Sequence, residues 1–248
     1  MKRAHPWGIP AGKTLLAIGV LVLPSPSLAR ECFDDASGIC LGDSGVAEIS
    51  GRAQVTDGDT LELGPVRIRL YGIDAPEASQ TCKKDDGRSW SCGNEATAHL
   101  AKLVGDKRIR CLAREHDPYN RPLAVCTAEG DSLNARMIRD GLAWAFLEYS
   151  DSYLAMEREA RKARTGIWQG SAEPPWEYRK DRWQRAADAS PRPGCPIKGN
   201  INSNGEHIYH TPWSPVYDRT QIDTAADERW FCDEAEATAA GWRPARWH

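Results

Sequence analysis

A short stretch in the first third of the chain concentrates side chains that could bind a metal ion and an anion. Asp59 follows an Asp-Gly turn, and Arg69, Asp74 and Glu77 come soon after it. Carboxylate and loop carbonyl oxygens are the ligands that hard divalent cations prefer. Arginine forks stabilise the charge that develops on an attacked phosphodiester, and a spare carboxylate can take a proton from water. The residue types therefore predict metal-assisted hydrolysis of a phosphodiester.

Each of these motifs also has a purely structural interpretation. Asp-Gly-Asp at 57–59 is a common turn, and Asp-Ala-Pro-Glu at 74–77 can cap a helix or form a loop. The spacing does not fit an EF-hand, because the run of ligands and the distal glutamate are missing. Taken alone, each motif is more often structural than catalytic.

The elements around these residues are predicted from hydrophobic periodicity and turn residues. Residues 60–63 and 66–71 are expected to form strands joined by Gly-Pro, and alternation places Arg69 on the face opposite the core side chains. Helices are expected over 94–104, from Ser132 to Gly141 and from Ser152 to Gly166, and strands over 109–113 and 123–127.

Several blocks, taken in order, resemble the staphylococcal nuclease (thermonuclease) family over about residues 50–170. The blocks are Asp57-Gly-Asp-Thr60, Arg69 through Asp74-Ala-Pro-Glu77, Tyr119-Asn-Arg-Pro-Leu-Ala124, Gly141-Leu-Ala143 and Gly166-Ile-Trp168. The resemblance implies an α+β fold with a five-stranded OB-fold barrel and three helices. It also implies calcium-dependent cleavage of DNA and RNA that leaves 3′-phosphate ends.

The same resemblance assigns expected roles to individual residues. Asp59 and Asp74 would bind Ca²⁺ through their carboxylates, and Ala75 would offer its backbone carbonyl. Glu77 would orient or deprotonate the attacking water. Arg69 and Arg121 would hold the phosphate. The nucleotide site would be lined by Tyr119 and Tyr149.

Two departures from the family pattern concern how the substrate is held. Leu147 stands where the best-known member has a tyrosine. Cys82 and Cys92 enclose a loop that is lysine-rich and flexible in the simplest members, and its Lys83, Lys84 and Arg88 are candidates for a basic patch. The alternative interpretation of this loop is a solvated charged surface.

The N-terminus is typical of an export signal. Residues 1–29 combine basic residues, a short apolar run and a Ser-Leu-Ala cleavage site. An uncleaved anchor is the weaker interpretation, because the apolar run is too short to span a bilayer. Removal of this segment, which has three basic and no acidic residues, moves the formal charge from -3 to -6. An acidic chain lacks general attraction for nucleic acid, so a local basic surface is needed.

All eight cysteines follow the expected cleavage site, which in an exported chain favours disulfides. The sequence leaves the connectivity open, and our hypothesis is sequential pairing. In that hypothesis the pairs are Cys32 with Cys40, Cys82 with Cys92, Cys111 with Cys126, and Cys195 with Cys232.

The last segment is expected to form a small disulfide-stapled domain. It distantly resembles the metal-binding domain of the Ada repair methyltransferase through Ile208-Tyr-His210, Trp230-Phe231 and Ala240-Gly-Trp-Arg-Pro244, but lacks the four cysteine ligands. Zinc held by His207, His210 and the two cysteines is the weaker interpretation, because the histidines should face opposite sides of a strand.

These observations predict five segments, with boundaries at 1–29 (signal), 30–48 (lead-in), 49–170 (nuclease-like domain), 171–194 (linker) and 195–248 (C-terminal domain). The expected function is that of an exported nuclease, periplasmic or secreted, with Ca²⁺ as cofactor and DNA or RNA as substrate. It would act as a monomer without a stable protein partner or a membrane anchor. The alternatives are a non-catalytic OB-fold binding protein and a protein associated with envelope polysaccharide.

Overall fold

The computed structural model describes residues 32–34, 39–41 and 47–245. Its first part contains strands β1 (Cys32–Asp34), β2 (Ile39–Leu41), β3 (Ala47–Asp57), β4 (Thr60–Leu63), β5 (Val66–Leu70), β6 (Ile73–Asp74), β7 (Cys82–Lys84) and β8 (Ser89–Trp90), helix α1 (Cys92–Val104), strands β9 (Arg108–His116), β10 (Pro122–Ala128) and β11 (Asp131–Ser132), helix α2 (Leu133–Arg139), strand β12 (Trp144–Ala145), helix α3 (Leu154–Ala163), a 3-10 turn (Gly166–Gln169) and strand β13 (Gly170–Ser171). Its second part contains helix α4 (Pro175–Ala189), strands β14 (Ile197–Ile201) and β15 (His207–His210), a 3-10 turn (Thr224–Ala226), strand β16 (Arg229–Phe231), helix α5 (Glu234–Ala239) and strand β17 (Arg243–Pro244).

Five strands close into a mixed β-barrel. Antiparallel pairs join β3 to β4, β4 to β5, β10 to β9, and β9 back to β3, while β5 and β10 pair in parallel. Helices α1 and α2 pack with the barrel around one apolar core that includes Leu61, Ile68, Leu100 and Ile138. The predicted five-stranded OB-type barrel with three helices is confirmed.

Alternation along β5 decides which side chains reach the site. Ile68 and Leu70 are buried in the core, whereas Arg67 and Arg69 lie on the other face, as predicted. Strand β5 ends next to β6, so Arg69 and Asp74 come from adjoining stretches of chain. The barrel thus presents guanidinium groups on the same side as the acidic loop, which follows β6 and contains Glu77.

Buried Asn134 ties β10 to the segment between β5 and β6. Its side-chain amide donates to the carbonyls of Tyr71 and Ala124, and its Oδ1 accepts from the N–H of Cys126. Ser132 caps helix α2 by accepting from the N–H of Ala135, as predicted.

Three of the four hypothesised disulfides are present. Cys82 is bonded to Cys92, Cys111 to Cys126, and Cys195 to Cys232. The β1–β2 register places residue 32 opposite residue 40, but these two side chains lie outside the described residues, as does the expected signal at 1–29. The described ranges hold no helix long and apolar enough to cross a membrane.

The C-terminal part is built on a four-stranded sheet in the order β16-β14-β15-β17. Its core is small and aromatic, with Tyr209, Phe231 and Trp242 around Ile197. His207 is exposed and packs against the Trp242 ring, whereas His210 is buried and bonds Asn200. The two histidines therefore separate as the strand alternation predicted. With Cys195 and Cys232 in a disulfide, the four residues do not form a zinc site.

Helix α4 fills most of the segment predicted as a linker, and it is anchored to both parts of the chain. The Tyr178 hydroxyl lies 2.9 Å from the Ser79 hydroxyl, which in turn donates to the Trp213 carbonyl. Trp176 packs against Trp144 and Phe146. These contacts hold the first turns of α4 over the acidic loop that follows β6.

Candidate active site

Asp59, Arg69 and Asp74 form a bonded cluster at the open side of the barrel. The two Arg69 Nη atoms lie 3.2 and 3.1 Å from the Asp59 carboxylate oxygens, and Nη2 lies 2.6 Å from Asp74 Oδ1. Both carboxylates are buried, and burial raises the pKa of Asp59 although Arg69 opposes the shift. The structure therefore brings these three predicted side chains together.

Asp59 lies in the turn between β3 and β4, and two hydrogen bonds orient its carboxylate. Its Oδ1 accepts from the Thr60 hydroxyl and its Oδ2 accepts from the Ala75 N–H, at 3.1 and 3.0 Å. The observed contact of Ala75 with this cluster is therefore through its N–H. The predicted role of its carbonyl as a metal ligand stays a prediction.

Glu77 lies on the loop after β6, and its backbone is held by the Gln80 side chain and by the start of helix α1. Gln80 accepts from the Glu77 N–H, and the N-terminus of α1 packs so tightly on this loop that position 93 has room only for glycine. Burial raises the pKa of Glu77 to about 7, with Arg179 opposing the shift. A carboxyl group with this pKa can both accept and release a proton near neutral pH.

Arg179 of α4 enters the same cluster, which the sequence did not predict. Its Nη1 lies 3.0 Å from Asp74 Oδ1 and 2.7 Å from Glu77 Oε1, and its Nη2 lies 2.7 Å from Asp74 Oδ2. Burial disfavours its charged form, yet Asp74 and Glu77 raise the pKa of Arg179 above its ordinary value. Arg179 therefore stays charged and completes a network of guanidinium and carboxylate groups.

Arg121 stands apart from that network, at the start of β10. Its Nε donates to Asp117 Oδ2 at 2.6 Å, and Asp117 also accepts from the N–H groups of Tyr119 and Arg121. The guanidinium carbon lies 5.5 Å from the centroid of the Tyr119 ring. Asp117 was missed in the sequence, although an aspartate four residues before an arginine in a polar loop is a detectable signal for such a turn.

One cavity of about 430 Å³ joins the predicted residues. Arg69, Glu77, Arg121, Tyr119 and Tyr149 all line it, while Asp59 and Asp74 lie buried behind Arg69. The C-terminal part adds a second set of lining residues, which the sequence did not predict, including Trp183, Tyr209, Trp213 and Glu234.

The local basic surface differs from the one considered in the sequence. Lys83, Lys84 and Arg88 do not line the cavity, and in their loop Asp86 pairs with Arg88. The cavity instead contains Arg67, Lys180 and the arginines described above, and the Nε atom of Arg67 is buried without a hydrogen-bond partner. The cavity lining also contains five acidic side chains, those of Asp57, Glu77, Asp117, Glu148 and Glu234, so the site offers guanidinium groups without a net positive charge.

The donor chemistry of this site fits calcium, but its carboxylate oxygens are already bonded to guanidinium groups. Asp59, Asp74 and Glu77 supply the hard oxygen ligands that Ca²⁺ prefers. In the described part of the chain no three His, Cys, Asp or Glu side chains are grouped as a metal site. At this cluster the oxygens of Asp74 and Glu77 that a cation would use are bonded to Arg179.

Comparison with known proteins identifies the family of the chain. A family model described as "Staphylococcal nuclease homologue" matches residues 67–170. An "Uncharacterized endonuclease" of Escherichia coli O157:H7 is 37% identical over 142 residues, which cover 54% of this chain and 86% of that protein. The chain belongs to the staphylococcal nuclease family.

Other relatives of this staphylococcal nuclease homologue carry different names. A "Micrococcal nuclease" of Shigella flexneri is 31% identical over 145 residues, covering 51% of this chain and 78% of that protein. A "Succinoglycan biosynthesis protein ExoI" of Rhizobium meliloti (strain 1021) is 34% identical over 135 residues, which cover 53% of this chain and 71% of that protein. The family and its nuclease-named members identify the chain as a nuclease, a hydrolase of phosphodiester bonds.

A second family model, described as "ArfC", matches residues 177–244. That range joins most of helix α4 to the four-stranded sheet, whereas the sequence predicted a linker that ends at residue 194. The resemblance of the tail to the Ada domain and the predicted domain boundaries stay predictions.

Proposed function

We propose that this protein is an exported, calcium-dependent nuclease that hydrolyses phosphodiester bonds of DNA and RNA. The observation that carries the proposal is the convergence of Glu77, Arg69 and Arg121 on one cavity backed by Asp59 and Asp74. A phosphodiester needs positive charge around its oxygens and a base for water, and this cavity contains both.

Each residue has a specific part in the proposed reaction. Bound calcium, held by Asp59 and Asp74, would supply charge stabilisation beside the scissile phosphate. Arg69 and Arg121 bind the phosphate oxygens and stabilise the additional negative charge of the transition state. Glu77 accepts a proton from water as the new P–O bond forms and the bond to the leaving oxygen breaks.

The outer part of the cavity suits a nucleotide. Tyr119 is 45% exposed, and Tyr149 also lines the cavity. Aromatic faces stack on bases without strong sequence preference, and cationic side chains follow the backbone. Arg67 and Lys180 supply such cations beside the phosphate-binding arginines. This combination supports nucleic acid as the substrate over an uncharged glycan.

Export and a monomeric form without a membrane anchor are part of the same proposal. The disulfides of the described residues support an oxidising compartment, because such bonds are rare in the cytosol. Fractionation of producing cells should place the protein in the periplasm or the medium, cleaved after residue 29. Retention in the cytosol would contradict this part of the proposal.

The test is cleavage of labelled DNA and RNA oligonucleotides by the purified protein, with calcium or with a calcium chelator. Cleavage is expected only with calcium and is expected to fall by about 100-fold or more in Arg69→Gln. Arg52→Gln is the control, because Arg52 is 82% exposed and lies on β3, away from the cavity lining. Binding of the oligonucleotides with unchanged ends would favour the non-catalytic alternative.

A further inference from the structure

Arg179 makes the contacts expected of a bound cation. Its guanidinium bonds both carboxylate oxygens of Asp74 and one oxygen of Glu77, at 2.7 to 3.0 Å. Asp74 is fully buried and the side chain of Glu77 is 13% exposed. Two desolvated carboxylates this close need a positive charge between them. In this structure Arg179 of helix α4 provides it between Asp74 and Glu77, and Arg69 also bonds Asp74.

The position of Arg179 is built into the fold and does not come from a loose surface side chain. Tyr178, the preceding residue, bonds Ser79, and Gln80 donates to the Glu173 carbonyl just before α4. Trp183, one turn later, packs on Trp213. Contacts on both sides of Arg179 therefore hold its backbone beside the acidic loop.

Asp74 Oδ1 accepts from both Arg69 and Arg179, and Oδ2 accepts from Arg179, so a metal ion on these oxygens would compete with Arg179 for them. A divalent cation placed on Asp74 would lie against the guanidinium, and two like charges at that distance repel strongly. The Arg179 side chain is 22% exposed and borders the cavity of about 430 Å³. The side chain therefore has space to rotate away while α4 stays in place.

We propose that Arg179 occupies the cation position of the active site and competes with calcium, so that it sets the calcium concentration at which the site is loaded. The inference rests on the proposed calcium dependence of this nuclease. It adds a residue from the C-terminal part of the chain to the control of that site. Removal of the competing charge should tighten calcium binding.

The experiment is a calorimetric titration with calcium chloride of the full protein and of two variants. Arg179→Gln is expected to bind calcium at least tenfold more tightly than the unmodified protein. Arg185→Gln, an exposed arginine on the same helix, is expected to bind calcium like the unmodified protein. Equal or weaker binding by Arg179→Gln would overturn the inference.

Thermal melting gives a second readout that does not depend on activity. Without calcium, Arg179→Gln leaves Asp74 and Glu77 without this partner and should melt at a lower temperature. Calcium should restore more stability to it than to the unmodified protein, since at a given concentration a more tightly bound ligand stabilises more. Equal calcium-induced shifts in melting temperature would contradict the competition.

A crystal structure of the unmodified protein with calcium covers the case in which Arg179→Gln does not fold. The Arg179 guanidinium is expected to have left Asp74, with calcium on that carboxylate. Calcium bound elsewhere with Arg179 still in place would overturn the inference. Calcium binding without cleavage by either form would instead contradict the proposed function and leave the competition standing.

Discussion

Gly93, in the first turn of α1, lies directly against the backbone carbonyl of Glu77. A Cβ atom at position 93 would stand 1.7 Å from the Glu77 oxygen, far inside any allowed contact. The neighbouring N–H of Gly93 donates to the Gln80 carbonyl at 3.2 Å. Helix α1 thus fixes the position of the loop that carries Glu77 through a close backbone contact that only glycine permits.

Gly93→Ala should therefore displace Glu77. Overpacking at such a contact costs about 1 to 3 kcal/mol of unfolding free energy, and a misplaced catalytic group can cost up to about 100-fold in rate. Denaturant unfolding and cleavage rates measure the two effects. Gly51→Ala is the matched control, because a Cβ there meets nothing within 4 Å. Equal behaviour of the two variants would show that the Gly93 contact does not position Glu77.

Asn134 should be a stability residue and not a catalytic one. Asn134→Ala removes the partner of the Tyr71 carbonyl and of the Cys126 N–H, while the Ala124 carbonyl keeps the Tyr71 N–H, and each unsatisfied group costs about 1 to 3 kcal/mol before relaxation. Chemical denaturation should show a clear loss, whereas Asn94→Ala, at an exposed position of α1, should change stability little. Similar losses in both variants would contradict the bridging role of Asn134.

Acid should destabilise the protein through His210. Burial lowers the pKa of His210 to about 4, with Lys198 adding to the shift, while the unfolded side chain keeps an ordinary value of 6.5. The unfolded state therefore binds the extra proton first as pH falls. The stabilisation is complete above pH 6.5 and is lost between about pH 6.5 and 4, a loss of about 2 kcal/mol after allowance for solvent screening.

His210→Gln removes this titration and should flatten the stability profile over that pH range. The measurement is the melting temperature at closely spaced pH values. His207→Gln is the control, because His207 is exposed on the same strand and leaves His210 intact. An unchanged acid slope in His210→Gln would contradict the assignment.

Individual strands and the first half of the site were predictable from local signals, whereas the five-stranded barrel was implied by the resemblance to the staphylococcal nuclease family. Alternation in β5 separated Ile68 from Arg69, and Asp59 and Asp74 lie at the ends of short strands flanking that arginine. Such patterns depend only on the period of a strand and on turn residues. The Cys111–Cys126 bridge was predicted for the same reason, because its two strands pair directly.

The contribution of the C-terminal part could not be predicted in this way. Arg179 is 105 residues away from Asp74 in the chain, and on a charged helix it resembles the exposed Lys180 and Arg185 beside it. Only the packing of Trp176 and Tyr178 against the first part of the chain shows which of these cations bonds Asp74 and Glu77. The charged stretch after Pro174-Pro175 predicts a helical linker, and the helix is present, but composition says nothing about its contacts.

The most direct test of the central claim is the cleavage rate of Glu77→Gln at saturating calcium on a single-stranded oligonucleotide. Glu148→Gln is the matched control, since Glu148 is an exposed glutamate that lines the same cavity. Loss of a general base lowers rates by about 100-fold or more, so Glu77→Gln should fall by that factor while Glu148→Gln keeps a rate near that of the unmodified protein. A Glu77→Gln variant that cleaves as fast as the unmodified protein would contradict the account.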